Sequence, residues 1–138
     1  MSISVNLVEW SDKYSVHVSK IDSEHKQLFA LLNIVNSAIV YGKGKEILEY
    51  ALSELLSYTE NHFQHEEEVM TMYNYPGLAM HRIEHKNLLL KVQTYIQKYH
   101  NKVLSVSEIT TFLKGWLINH IEGDDSHFGN YLRGKGIS

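Results

Sequence analysis

At 138 residues, with 43% hydrophobic and 21% charged residues, the chain has the balance of one ordinary globular domain, long enough for a sizeable core and too short for two. A net charge of -3 without any Lys/Arg cluster gives no footprint for nucleic acid, and no apolar run approaches the roughly 18 residues of a membrane span. The absence of cysteine excludes disulfides, thiolate metal sites and iron–sulfur ligation, while nine histidines stand out.

The opening MSISVNLVEW lacks the basic and apolar regions of a signal peptide, so a cytoplasmic location is the expectation. Residues about 1–20 read as an irregular arm, after which Asp22 and Ser23 offer N-caps for a helix over about 22–41, ended by YGKGK. A second helix runs over about 45–73 and stops at NYPG, and a third covers about 77–100. Ser105 and Glu108 form a candidate capping box for a fourth over about 106–123, followed by a C-terminal tail. Short links between long amphipathic segments specify an all-α fold, an antiparallel up-down-up-down four-helix bundle occupying 1–138 as a single domain.

Steps of three and four residues mark the face that each helix turns to the core. They give His25, Leu28, Leu32, Val35 and Ile39 on the first helix, and Leu48, Leu52, Leu55, Thr59, His62, Glu66 and Val69 on the second. The third contributes Leu78, His81, His85, Leu88, Val92 and Tyr95, and the fourth Ile109, Leu113, Trp116 and His120. His25 and His81/His85 come early in helices running one way, whereas His62/Glu66 and His120 come late in helices running the other. An antiparallel bundle therefore puts all of them at one end. A lone histidine on an apolar face is usually a core residue with one satisfied hydrogen bond. Imidazoles from four helices at one level are different, because burying several uncompensated polar groups costs a few kcal/mol each and a shared metal removes that cost.

Imidazole suits zinc, copper, iron and nickel, and carboxylates bridge hard ions. Five histidines with two carboxylates exceed the four ligands of a tetrahedral zinc but suit two metals. Glu-x-x-His, the motif of the carboxylate-rich ferritin-like di-iron bundles, is absent from the sequence. The second carboxylate is ambiguous on spacing alone. Helical geometry selects Asp124, four residues after His120, because a residue five on points about 140° away.

The chain resembles the bacterial hemerythrins, non-haem di-iron oxygen-binding bundles. The likeness rests on Trp10 with Tyr14, IDSEHK around His25, TENHFQHEEEVM around His62 and Glu66, Tyr75-Pro76, His81-x-x-x-His85, and WLINHI ending beyond His120. It runs from Trp10 to Asp125. The resemblance implies two iron ions joined by an oxo or hydroxo group, one held by His81, His85 and His120, the other by His25 and His62, with Glu66 and Asp125 bridging. It places the bridging aspartate five after the histidine and so selects Asp125, with Gly123 or a single-turn π-type widening letting that residue swing inward. Asp124 then becomes a solvated or capping residue.

Dioxygen is the partner the resemblance implies, bound reversibly at the two-histidine iron by a carrier, store or scavenger that is not an enzyme. Sensing, or di-iron chemistry on peroxide or nitric oxide, is the alternative. Leu28, Phe63, Trp116 and Ile121 adjoin the ligands and are the expected oxygen pocket, and a monomer is the expected state. His65, His100 and His127 are read as exposed. One departure from the family is Val16-His17-Val18, where a glycine often stands between the two hydrophobic residues; His17 is expected at the surface.

Overall fold

The computed structural model describes residues 7–101 and 106–138. Four long helices follow the apolar spacing: α1 (Ser19–Val40), α2 (Lys45–Met72), α3 (Leu78–His100) and α4 (Val106–His120). Glycine and proline set the first two corners between them. Gly44, at φ 99, supplies a left-handed residue ahead of α2, and Asn74 (φ 54) with Pro76-Gly77 turns the chain into α3. The chain reverses at each link, and α1 and α3 each pack against both α2 and α4. The result is the antiparallel four-helix bundle, with no strand among the described residues. The capping box expected at Ser105 lies outside the described residues.

Away from the histidines the stripes form an ordinary core. Leu28, Leu32, Val35, Leu48, Leu52, Leu55, Leu88, Val92 and Ile109 are all buried. Each such side chain contributes roughly 1.5–3 kcal/mol relative to exposure, so this part of the bundle can carry a polar layer at its other end. No helix among the described residues is long and apolar enough to cross a membrane.

Both ends of the chain differ from the sequence expectation. Helix α1 begins at Ser19, with extended Val18 as its N-cap, rather than at Asp22 or Ser23. Asp22 instead holds the preceding arm. Its carboxylate accepts hydrogen bonds from Ser15 Oγ (2.6 Å) and the Val16 amide (2.8 Å), pinning that arm to the helix. The described residues of the arm are irregular apart from a 3-10 turn over Asp12–Tyr14. It is tied down again at Asn33, whose side chain accepts from the Val8 amide and donates to its carbonyl at 3.0 and 2.8 Å. His17 lies exposed in this stretch at φ 60, a left-handed conformation that suits glycine better than a branched residue.

The expected C-terminal tail is helical. After α4 comes a five-residue π-helical turn, Ile121–Asp125, then α5 (Ser126–Gly134). Phe128 and Leu132, one turn apart, are fully buried with Val16, Val18 and Met70. Gly129 makes the close approach possible, since a Cβ there would sit 2.6 Å from the Val16 carbonyl oxygen. Gly123 suggested a helix end. The apolar pair beyond it outweighs that local preference, and the helix widens instead of stopping.

Candidate metal centre

His25, His62, Glu66, His81, His85, His120 and Asp125 are all buried, and the bundle brings their side chains together at one end. The two carboxylates stand at the middle and divide their oxygens. Asp125 turns Oδ2 to His25 Nε2 at 2.7 Å, and Oδ1 to His120 Nε2 and His81 Nε2 at 3.0 and 3.7 Å. Glu66 turns Oε2 to His62 Nε2 at 3.1 Å, and Oε1 to His85 Nε2 and His120 Nε2 at 3.5 and 3.8 Å. One oxygen of each carboxylate thus faces the pair His25/His62, and the other faces the trio His81/His85/His120.

These approaches are not ordinary hydrogen bonds. The Nε2 atoms of all five histidines, the Nδ1 of His25 and all four carboxylate oxygens find no hydrogen-bond partner among the described residues. Leaving a polar group buried and unpaired costs about 1–3 kcal/mol by protein mutational data, and a whole domain has only about 5–15 kcal/mol of stability. Leaving aside Nδ1 of His25, which diverges from Nε2 of the same ring, nine such atoms in one layer call for a common acceptor of their lone pairs, which is what a cation is. Oxygen and imidazole nitrogen donors in two groups fit a pair of first-row transition ions. His25, His62, Glu66 and Asp125 offer ligand atoms within 4.8 Å of one another, as do Glu66, His85 and His120. His81 stands slightly outside the second group and reaches it through Asp125.

The π turn decides between the two aspartates. Asp125 is fully buried and faces the imidazoles, whereas the Asp124 side chain is 42% exposed and approaches the back of His120, 3.6 Å from Nδ1. Widening the helix by one residue per turn puts the fifth residue after His120 where a regular helix would put the fourth.

An outer ring of acceptors fixes the imidazoles from behind. His62 Nδ1 donates to Glu24 Oε1 at 3.1 Å, His85 Nδ1 to Glu67 Oε2 at 3.0 Å, and His81 Nδ1 to the Gly77 carbonyl at 3.3 Å. Such partners hold the tautomer that leaves Nε2 free for a metal and raise its basicity. Spacing did not single out Glu24 or Glu67. Each stands beside a stripe residue, His25 and Glu66 respectively, but serves an imidazole on a neighbouring helix, and sequence carries no marker of that pairing. Beyond the ring, Glu24 also contacts exposed His65 and Glu67 contacts Arg82. His100 and His127 are exposed, as expected.

With protons as the only cations, the centre polarises itself. Burial opposes charge on His62, but the carboxylates of Glu24 and Glu66 lift it to about 10. His120 is buried too, and the charge of Asp125 leads the influences that raise it well above its usual value. Burial and the neighbouring Asp125 push Glu66 upward, yet His120, His62 and His85 bring it down to about 2. Asp125 falls well below the carboxylate range through His120, His25 and His81, against its burial. The carboxylates are therefore anionic at neutral pH, and imidazole protons occupy the role that metal ions would take.

The four expected pocket residues separate into two groups. Leu28 and Trp116 border an apolar cavity of about 30 Å³ within the core, and no residue of the ligand layer lines it. Phe63 and Ile121 do not border it. Phe63 instead lies flat on His85, centroids 3.8 Å apart and planes 2° from parallel, and Trp116 stacks on His120 at 4.7 Å. Both rings thus clamp imidazoles of the trio.

A family model described as the Hemerythrin HHE cation binding domain matches residues 16–132, and so takes in every residue of this layer. The chain belongs to the hemerythrin family. Among curated members, the bacteriohemerythrin of Methylococcus capsulatus is 30% identical over 128 residues, covering 91% of this chain and 97% of its own. That of Stenotrophomonas maltophilia is 29% identical over 127 residues, covering 92% and 82%. A hemerythrin-like protein of Naegleria gruberi is 29% identical over 123 residues, covering 89% and 92%. In three dimensions, the crystal structure of wild-type hemerythrin aligns with a TM-score of 0.82 at 28% identity, over 90% of this chain and 96% of that one.

Proposed function

We propose that this hemerythrin-family chain binds dioxygen reversibly at a non-haem di-iron centre, acting as a carrier, store or scavenger and not as an enzyme. The observation that carries the proposal is the division of the Glu66 and Asp125 oxygens between two sets of histidines. His25 and His62 would hold one iron and His81, His85 and His120 the other, with Glu66 and Asp125 offering one oxygen to each. A ferrous pair supplies the two electrons that dioxygen takes up on binding and returns on release.

The donor count makes the halves unequal. The pair contributes two nitrogens and two carboxylate oxygens, and the trio three nitrogens and two oxygens. The half with fewer protein donors is the one open to a small exogenous ligand. Leu28, one turn from His25, and Leu88, one turn from His85, both border the apolar cavity of the core. An apolar cavity stays dry and accepts small apolar molecules, so its walls favour dioxygen over water and anions. The aromatic clamps on His85 and His120 hold the better-supplied half in place.

The test is to load the protein with iron, reduce it, expose it to oxygen and then strip the gas with argon. The visible spectrum should appear and vanish over repeated cycles, with about one dioxygen recovered intact per pair of irons. Oxygen consumed without recovery would point to catalysis, and a spectrum indifferent to oxygen would remove the proposal.

A further inference from the structure

Imidazole and carboxylate side chains continue from the buried pair out to solvent in a single line. His65, three residues after His62 on α2, has a 52% exposed side chain, and its Nδ1 lies 3.2 Å from Glu24 Oε2. Glu24 is 15% exposed, and its other oxygen lies 3.1 Å from Nδ1 of fully buried His62. Glu24 and His65 also border a groove of about 190 Å³ between α1, α2 and the C-terminal segment, whose wall includes Glu66. Glu66 is 2% exposed, and neither of its carboxylate oxygens has a hydrogen-bond partner among the described residues. Orienting His62 needs one oxygen of Glu24. The second oxygen holds an exposed imidazole that contributes nothing to the core.

We propose that this groove is the route by which a divalent cation reaches and leaves the centre, with His65 and Glu24 as transient outer ligands and Glu66 as the receiving one. The inference rests on the metal-centre reading above. Most of this groove is apolar, with Val18, Ile21, Val69 and Leu132 among its walls, and a hydrated ion cannot pass such walls by shedding its waters at once, a prohibitive desolvation. A carboxylate and an imidazole at the mouth replace those waters stepwise, before Glu66 and the buried imidazoles complete the exchange. Lys20 on the same rim works against the approach of a cation and is outweighed only if the two ligands act together.

A second groove, bordered by Glu84, Asp124 and His120, is the rival route. Glu84, His120 and Asp124 could themselves hold an ion, although Lys91 also lines this groove. It meets His120 on the Nδ1 side, where Asp124 lies, whereas the Nε2 lone pair faces Glu66 and Asp125. Neither of those carboxylates borders that groove, so an ion entering there stops at the back of an imidazole.

The experiment measures two rates under argon: ferrous loading of metal-free protein, checked for helix content, and ferrous release from reduced, loaded protein to excess chelator. A group that lowers the barrier of a route speeds both directions by one factor. His65→Ala should therefore slow loading and release equally, at least several-fold, with final metal content unchanged, and His65→Glu should recover much of the rate. Glu84→Gln should load at the wild-type rate. Wild-type rates for His65→Ala, a change in only one direction, or slowing confined to Glu84→Gln would each overturn the route. Failure of the wild type to take up any metal would overturn the metal centre itself, and the route with it.

Discussion

Glu66 and Asp125 meet at one point from two backbones that obey different rules. Glu66 stands four residues after His62 on an unbroken helix, so the two share a face by simple periodicity. Asp125 stands five after His120 and shares its face only because residues 121–125 form a π turn. That turn serves two ends. It turns Asp125 inward, and it sets the phase of α5 so that Phe128 and Leu132 pack under the arm. A regular helix would present Asp124 instead, and that side chain lies at the surface behind His120. A buried carboxylate can thus be placed by a local defect whose energetic support lies further along the chain.

The largest expected effect tests this equivalence directly. Glu66→Ala and Asp125→Ala each remove a donor from both halves, so both should lower metal affinity by more than the roughly 10–100-fold that an outer hydrogen-bonding partner is worth. Asp124→Ala should keep wild-type metal content. Equilibrium dialysis followed by metal analysis decides it, and loss in Asp124→Ala with retention in Asp125→Ala would restore plain helix geometry.

A smaller effect bears on the contrast between the halves. Glu24→Gln weakens the orientation of His62 in the pair, and Glu67→Gln that of His85 in the trio. Each should cost about 10–100-fold in affinity. In Glu67→Gln, Phe63 still holds the His85 ring in place, so Glu24→Gln should lie at the larger end. Competition against a chromophoric chelator measures both, and equal losses would remove the asymmetry.

Dependence on pH is gentler still, and its sign differs with and without metal. His62 is raised from 6.5 to about 10, so in metal-free protein its stabilising contribution is full below about 6.5 and is lost as pH rises toward about 10. Glu66 is lowered from 4.5 to about 2, so its contribution is full above about 4.5 and is lost as pH falls toward about 2. Metal-free protein should thus melt highest between about pH 4.5 and 6.5. Metal binding displaces imidazole protons, so affinity should climb with pH across neutrality, by up to about tenfold per unit for each proton released. Melting curves of the two forms that move in parallel with pH would contradict this.

Much of this was legible in the sequence, because helix periodicity and core burial are one signal. The same three- and four-residue steps that put Leu32 and Leu55 inside put His25, His62 and Glu66 beside them. The histidine layer follows from chain direction alone. Three things were hidden. The end of α4 could not be read from spacing, since Gly123 argued for a stop and only the packing of Phe128 and Leu132 carries the helix through it. The start of α1 was misplaced because an aspartate near a helix start resembles a cap, whereas Asp22 binds the preceding arm. Glu24 and Glu67 act across helices, a pairing that no single helix records.

Everything proposed for the centre depends on Glu66 and Asp125 being shared, one oxygen to each of two ions. Anomalous diffraction at the iron edge from crystals of the loaded protein tests this sharing without an intermediate step. The expected result is two iron peaks per chain, one beside His25 and His62, the other beside His81, His85 and His120, with each carboxylate reaching both. A single peak, or a carboxylate with both oxygens on one ion, would contradict it.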